Sequence, residues 1–449
     1  MDSYVYKVEL YKSQKPKLIV PKSHLATFQH VESIQYGNRS ISVQLLTHQK
    51  DEATIYLSQG VSGQLLFSQR STPISIRIQH NTCFLPKLLG IYTAGFDDGH
   101  AAPLGERTRI FQSMTESGAH LGFDTVVFGY QHVLAGKAIR GFTYQDGEWV
   151  QQDFPLPTVI YDRIPNRKVE HHPSVKDMKE QLRDEAKWFN SGFFNKWRIY
   201  DKLKKNPKVN YFLPLTILHP SEEKLERLLH KHKSLYVKPI NGSKGEGIKK
   251  LSINSSNRVY ECEYYQGEKN IHQRYHQFSE LYKQQYPSGL YGTIVQPEIE
   301  LMTKRKTPMD FRVHTNKNER NQWEVTAICT KFAGKGSVTT HVKRGGSLHT
   351  LEEVFGKDQE EKIRKKLTKV ALELAKAVEQ IEGEQPLGEI GFDLGIDADG
   401  HVWLFEANSK PGFAILDHPY FIKEEEKFLS YPYRFSSYLI DEHSTLLYT

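Results

Sequence analysis

The sequence predicts a multidomain chain of mixed α+β and α/β character, with a small β-rich N-terminal domain, a Rossmann-like unit and a larger C-terminal domain. Three observations predict it. The 449 residues exceed what one hydrophobic core usually serves. Residues 4 to about 80 hold only short alternating apolar stretches between Gly, Asn, Ser and Pro. From about residue 86 strand patterns alternate with helical ones, and a long helical stripe precedes a hairpin near the C-terminus.

In order along the chain, Val5–Leu10, Ile41–Leu45, Thr54–Leu57 and Ile74–Ile78 are expected as strands of the first domain, residues 1–85. No cluster there would support catalysis. Lys87–Thr93, a helix over Leu104–Leu121 and a strand at Asp124–Phe128 predict βαβ packing over residues 86–188. A hairpin follows, Ala138–Tyr144 and Trp149–Phe154 around Gln145-Asp146-Gly147-Glu148, then a strand at Thr158–Arg163. The third region, 189–449, opens with a helix at Lys196–Lys205 that Pro207 ends and a second at Ser221–His232 with Glu222 and Glu223 in its first turn. Asp358–Glu382 is the cleanest helix, with Ile363, Leu367, Val370, Leu374, Val378 and Ile381 at helical spacing. That stripe is core.

Composition narrows the function classes. Hydrophobic content of 38% and charged content of 25% are ordinary for a globular chain. The formal charge of +7, from 60 Lys and Arg against 53 Asp and Glu, is mild at this size, and no nucleic-acid-binding signature accompanies it. Cys83, Cys262 and Cys329 lie far apart, which argues against a disulfide framework or zinc site and for a reducing compartment. The N-terminus lacks a basic start with a following apolar core, and no run approaches membrane-spanning length, so a cytoplasmic location without nucleic-acid or membrane partners is expected.

Two stretches carry chemistry. Residues 235–253 read as a strand ending in Lys238, a glycine-rich turn and a second strand. Gly242, Gly245 and Gly247 would let backbone N–H groups approach an anion, and Lys238 would add a point charge. The turn is not a Walker A loop, which needs Lys-Ser or Lys-Thr after the last glycine and a helix behind it. A plain surface hairpin is the alternative. The second stretch, residues 388–412, places Asp393, Glu406 and Asn408 in a hairpin around Asp397-Ala398-Asp399-Gly400. If Ile396 faces His401, Asp393 lies opposite Leu404 and diagonal to Glu406, on one face with Asn408. Two carboxylates and an amide suit a hard cation such as Mg²⁺, and without one the cluster would repel itself. Between these stretches, Arg312 inside an apolar strand and Arg344 beside two glycines suit carboxylate or phosphate partners, with an ordinary salt bridge as the alternative for each.

Taken in order, these pieces resemble the ATP-grasp superfamily over roughly residues 190–449, and within it the branch ending in Glu-x-Asn-x-x-Pro-Gly, here Glu406 to Gly412. The whole arrangement is similar to the YheC/YheD group of endospore coat-associated proteins. The resemblance implies a two-lobed ATP-grasp domain, its lid lobe at about 205–295, behind a pre-ATP-grasp Rossmann-like unit. It implies that Lys196 and Lys238 contact the phosphates and adenine side of ATP while the Gly242–Gly247 turn, with Ser243 and Gly245, folds over the phosphates. Gln296, Glu298 and Ile299 would lie at an interlobe hinge that reads adenine. Arg312 and Arg344 would face phosphate or an acyl-phosphate, and Asp393, Glu406 and Asn408 would bind Mg²⁺. Pro297 departs from the family pattern in the hinge, as do His341 and Lys343 in the arginine loop. The implied activity is ligation of an unidentified carboxylate to an unidentified amine, and the implied partners include other spore-coat proteins. A coat component that keeps the fold with little turnover, and a kinase sharing the Mg-ATP half, are the competing expectations.

Overall fold

In this computed structural model, which describes residues 3–447 except positions 51, 98, 100, 243–245, 255–258, 268, 305–306, 333–345 and 384, four sheets form in chain order. The first has eight strands, with Ser3–Tyr11 between the parallel partner Thr54–Ser58 and the antiparallel partner Ile74–Gln79. The stretch expected as one strand at 41–45 is two, Arg39–Ser42 and Gln44–His48, which pair at opposite edges of this sheet. Its buried face, including Val8, Leu18, Ile34, Ile55 and Ile76, shares a core with Leu88, Tyr92, Phe128 and Ile160 of the next unit.

The second sheet is the Rossmann-like layer. Lys87–Tyr92 lies at its centre, flanked in parallel by Phe123–Phe128 and Val159–Asp162, with Lys187–Phe189 parallel at one edge. The helix Thr108–His120 supplies the crossover between the first two of these strands. The hairpin Ile139–Gln145/Glu148–Phe154 extends the other edge, and Asp146 and Gly147, both at positive φ, make its two-residue turn.

The third sheet is antiparallel and carries the helices Glu222–His232 and Phe278–Gln285. Ser221 caps the first helix by accepting a hydrogen bond from the Lys224 N–H. The fourth sheet orders Ser347–His349, Trp323–Phe332, Thr307–Lys317, Glu389–Ile396 and Val402–Asn408 from edge to edge. Its apolar face, with Phe311, Val313, Phe392 and Leu394, receives Leu367, Val370, Leu374 and Val378 of the long helix Lys357–Glu382. Strand alternation therefore sends Asp310, Arg312 and Asp393 to the opposite face, toward the third sheet. Residues 298–302 carry the chain between these two sheets: the Glu298 N–H still bonds Ser234 of the third, and the Met302 N–H bonds Ile396 of the fourth.

The C-terminal helix Glu425–Leu447 returns to the Rossmann-like layer, where Phe428, Leu429, Tyr433 and Phe435 join Leu89, Ile91, Phe111 and Val127 in one core. The Tyr433 hydroxyl meets Thr125 Oγ1 at 2.9 Å. The third sheet keeps a core of its own, drawn from Leu225 to Val295. All three cysteines are buried and unpaired, and no helix among the described residues is long and apolar enough to cross a membrane.

Candidate functional site

The acid hairpin forms in a register one residue from that expected. Asp397 and His401 close a three-residue loop, with Gly400 at φ +82° and the His401 N–H donating to Asp397 Oδ1 at 2.7 Å. Ile396 thus faces Val402 rather than His401. A β-bulge then leaves Phe405 unpaired and sets Asp393 directly opposite Glu406, not Leu404, with Asn408 opposite Gly391 on the same face. The three oxygen-bearing side chains are closer than the expected diagonal would place them, and Asn408 Nδ2 lies 3.5 Å from Asp393 Oδ2. Gly391 is required here, because a Cβ would stand 2.6 Å from Pro411 Cβ.

Like charges across a strand pair are offset by cations. Arg312, paired with Asp393 across the neighbouring ladder, places Nε at 2.9 Å and Nη2 at 3.0 Å from its two oxygens. Lys331 adds a hydrogen bond of 2.7 Å to Asp393 and an ion pair at 3.0 Å with Asp310. Although burial opposes ionisation, Arg312 and Lys331 hold the Asp393 carboxyl far below the ordinary carboxylate range. Glu406 is less committed, with Lys196 Nζ at 3.6 Å and 27% of its side chain exposed.

Lys238 faces this hairpin from the third sheet. Its Nζ donates to Gln296 Oε1 at 2.6 Å, and buried Gln296 is itself fixed by donating to Thr216 Oγ1 at 2.8 Å. The same Nζ stands 5.8 Å from the ring of Phe405, the bulged residue. Burial, then the nearby charge of Lys196, pushes the Lys238 ammonium down to about 8, against the pull of Glu406, Asp310 and Asp393. Two lysines and three acids from different elements thus lie within electrostatic reach of one another.

Against this geometry stand the likenesses of the sequence. Residues 185–439 match the family described as YheC/D like ATP-grasp. The chain belongs to that family. It is 34% identical over 425 residues to the endospore coat-associated protein YheD of Bacillus subtilis, covering 91% of each chain. It is 25% identical over 283 residues to YheC of the same organism, 59% of this chain and 73% of that one. Among solved structures, D-alanyl-alanine synthetase A from Vibrio cholerae aligns with 78% of this chain and 99% of its own at 13% identity and a TM-score of 0.47.

Other expected site residues of this ATP-grasp chain fall as follows. Lys196 opens the helix Lys196–Lys204, which Asn195 caps through the Arg198 N–H. Gly242 and Gly247 flank the turn beyond Lys238, and Gly247, at φ +71°, could take a Cβ only 2.8 Å from Pro239 Cγ. Ser243, Gly245, His341, Lys343 and Arg344 lie outside the described residues. Pro297 ends the strand Thr293–Pro297 opposite Leu235, Glu298 accepts from Lys250 at 2.7 Å, and half-buried Ile299 lies on the crossing between sheets. Arg312 is spent on Asp393, so its fork is not open to phosphate as the hairpin stands.

Sequence reasoning passed over Lys331 and Asp310. The signal was there: both are charged residues inside apolar strands, the feature that singled out Asp393. It also passed over Lys410, inside the Glu-x-Asn-x-x-Pro-Gly segment. Lys410 bonds Asp162 at 2.6 Å and Glu170 at 3.1 Å, tying the loop after Asn408 to the Rossmann-like layer. Arg163 adds to that tie by pairing with Glu389 at 2.5 Å and donating to the Pro411 carbonyl at 3.0 Å.

The donor set fits a hard cation. Among the described residues no three His, Cys, Asp or Glu side chains are arranged so as to hold a metal ion by themselves, so a cation here would rest on two carboxylates and one amide. With Asp393 held by Arg312 and Lys331, Glu406 and Asn408 are the donors left open.

Proposed function

We propose that this protein is an ADP-forming carboxylate–amine ligase that binds Mg-ATP between the Lys238 strand and the acid hairpin. One observation carries this reading: Lys238 and Lys196 converge on Glu406 from two elements of a cleft whose opposite wall sets Asp393 against Glu406. Lys196 and Lys238 are suited to bind the nucleotide's phosphates, and Gly242 and Gly247 allow the backbone near Lys238 to close over them. Gln296 orients Lys238, while Glu298 and Ile299 lie where an adenine ring would meet the crossing between lobes. Asp393, Glu406 and Asn408 would hold Mg²⁺, which supplies charge stabilisation at the phosphates when bound.

In the reaction assigned here, a substrate carboxylate oxygen attacks the γ-phosphorus, the bond to the β-bridging oxygen breaks, and ADP leaves. An amine then attacks the acyl carbon, the C–O bond to phosphate breaks, and the amine proton passes to solvent. No protein nucleophile is needed. The chain's residues bind, orient and offset charge, and lobe closure excludes water. Arg312 would join the phosphoryl group only if it left Asp393, and Arg344 is assigned the same anionic neighbourhood from sequence.

A second reading, a coat component that keeps the fold with little turnover, is favoured by the Arg312–Asp393–Lys331 cluster, which neutralises Asp393 without any metal. The names of the relatives support placing either activity at the spore coat, among other coat proteins. The discriminating experiment is ADP release by the full chain across pools of amino acids and cell-wall precursors. Release above the ATP-only background supports the ligase. A Mg-ATP melting shift with no release from any pool supports the coat component.

A further inference from the structure

Beside the acid hairpin lies a cavity of about 890 Å³, lined by Arg167, Lys168, Lys176, Lys179 and Arg183 against Glu170 and Glu180. It does not sit over Lys238 and Glu406. Its lining includes Asn195 and Asn241, hydrogen-bonded to each other at 3.1 Å, and Asn241 begins the glycine-rich turn. The cavity thus opens from the Rossmann-like layer toward the phosphate end of the proposed nucleotide cleft.

Its cations divide into two kinds. Lys179 is consumed by Asp162 at 2.6 Å and Glu170 at 3.2 Å, and Arg183 by Glu180. Arg167, Lys168 and Lys176, which all line the cavity, form no ion pair within 4 Å among the described residues, and Arg167 feels only the more distant charges of Glu406 and then Glu170. Arg167 is held ready: it is half-buried, its guanidinium stacks 5.3 Å from the Phe193 ring, and Nη2 donates to the Phe194 carbonyl. Nε and Nη1 carry no partner among the described residues. A half-buried guanidinium fixed in place with open donors is poised for a carboxylate.

We propose that this cavity binds an acidic peptide, with Arg167 taking a side-chain carboxylate and Lys168 and Lys176 steering further acidic residues, so that the peptide's reacting carboxylate points toward the acid hairpin. The size argues for a peptide over a single amino acid, since about 890 Å³ is near the top of the range of roughly 300–1,000 Å³ for small-molecule sites. The charge argues for acidity, since the lining carries five Lys and Arg against two Glu. This names the carboxylate substrate of the ligase, and so rests on that reading for its chemistry but not for its binding.

The test is fluorescence anisotropy of labelled tetraglutamate and tetraglutamine on the full chain without nucleotide, with Mg-ATP melting shifts measured on the same samples. Tetraglutamate is expected to bind roughly ten-fold or more tightly than tetraglutamine, and Arg167→Gln to lose about ten-fold, the order of one charge-assisted hydrogen bond. Exposed Lys168→Gln and Lys176→Gln, which do not threaten folding, are each expected to lose about two- to three-fold and to flatten the salt dependence. Equal binding of the two peptides, or lysine variants indistinguishable from the parent, overturns the proposal. So does a tetrathymidylate that outcompetes tetraglutamate. If peptide preference fails while the Mg-ATP shift persists, the acidic-peptide site falls and the nucleotide reading stands. A peptide preference without a Mg-ATP shift supports the site and refutes the nucleotide reading.

Discussion

Glu406→Gln separates holding a nucleotide's metal from holding the fold, and Asp393→Asn supplies the contrast. Glu406 makes one long contact, 3.6 Å to Lys196, with 27% of its side chain exposed. Partly exposed pairs of this kind contribute about 0–1 kcal/mol. Glu406→Gln should therefore leave the melting temperature of the nucleotide-free protein within about 2–4 °C of the parent. Asp393 differs, being 13% exposed and bonded to Arg312 twice and to Lys331 once. Removing its charge strands two cations in a poorly solvated sheet face, a class of change that costs about 3–5 kcal/mol. Lys331 keeps Asp310 at 3.0 Å, which places the cost near the low end, about 3 kcal/mol.

Mg-ATP at about one hundred times its Kd adds roughly 2.7 kcal/mol to the stability of the state that binds it. In a unit of this size that is a rise of about 5–10 °C. Both variants should lose this rise, but only Asp393→Asn should also lower the starting point. The assay is a melting curve followed by circular dichroism, with and without Mg-ATP. A Glu406→Gln protein that keeps the full nucleotide gain refutes the metal assignment, and an Asp393→Asn protein that melts like the parent refutes the charge accounting.

Two further outcomes follow from the same geometry. Burial and Lys196 push Lys238 from 10.5 to about 8, so the unfolded chain binds its proton more tightly than the folded one. Its cost to stability is full below pH 8 and is relieved as pH rises toward 10.5, while its attraction for phosphate is lost as pH rises through about 8. Mg-ATP affinity should thus fall between pH 7 and 9 in the parent and stay level in Lys238→Arg; identical profiles would count against Lys238 as a phosphate contact. Lys410→Met should cost about 3 kcal/mol in urea unfolding, because it leaves fully buried Asp162 with Lys179 alone. Adding Asp162→Asn should recover part of that loss, and additive losses would show that the two side chains do not act as a pair.

What the sequence disclosed follows the range of the interactions involved. The helix Lys357–Glu382 was legible because its apolar stripe repeats within every turn, and Lys238 and the glycine-rich turn because strand–turn–strand patterning is local. The acid hairpin was legible as a hairpin but not in register, since Asp397-Ala398-Asp399-Gly400 fits a four-residue turn as well as the three-residue loop that forms. The partner of Arg312 was out of reach. Asp393 lies 81 residues away, and only the order of the strands Thr307–Lys317 and Glu389–Ile396 in the sheet brings them together. The strand Lys17–Pro21 escaped because Leu18, Ile19 and Val20 run together without alternation, and Thr82–Phe84 because three residues are too few to show a period, whereas Ser33–Tyr36 alternates and was open to the same reading as Thr54–Leu57. Arg167 escaped because it begins a single helical turn, Arg167–Glu170, with no period to mark it.

The distribution of cores sets what can move. The first two sheets share one core, the second joins the C-terminal helix in another, and the fourth is sealed by the long helix, so these parts interlock. The third sheet does not: its core runs only from Leu225 to Val295. Its polar links to the remainder include the Asn195–Asn241 bond and the bond from the Thr216 N–H to the Tyr200 hydroxyl, and Lys238 lies near Phe405. Opening this lobe breaks few apolar contacts and therefore costs little, which is what a clamp around a nucleotide requires. Hydrogen exchange tests this directly. Without nucleotide, amides of Leu235, Leu251 and Cys262 should exchange through an opening of lower free energy than those of Phe311, Val313 and Phe392, and Mg-ATP should protect the first set more than the second. Equal opening energies for the two sets, unchanged by nucleotide, would mean the lobe is welded to the body and that the cleft works, if at all, without closing.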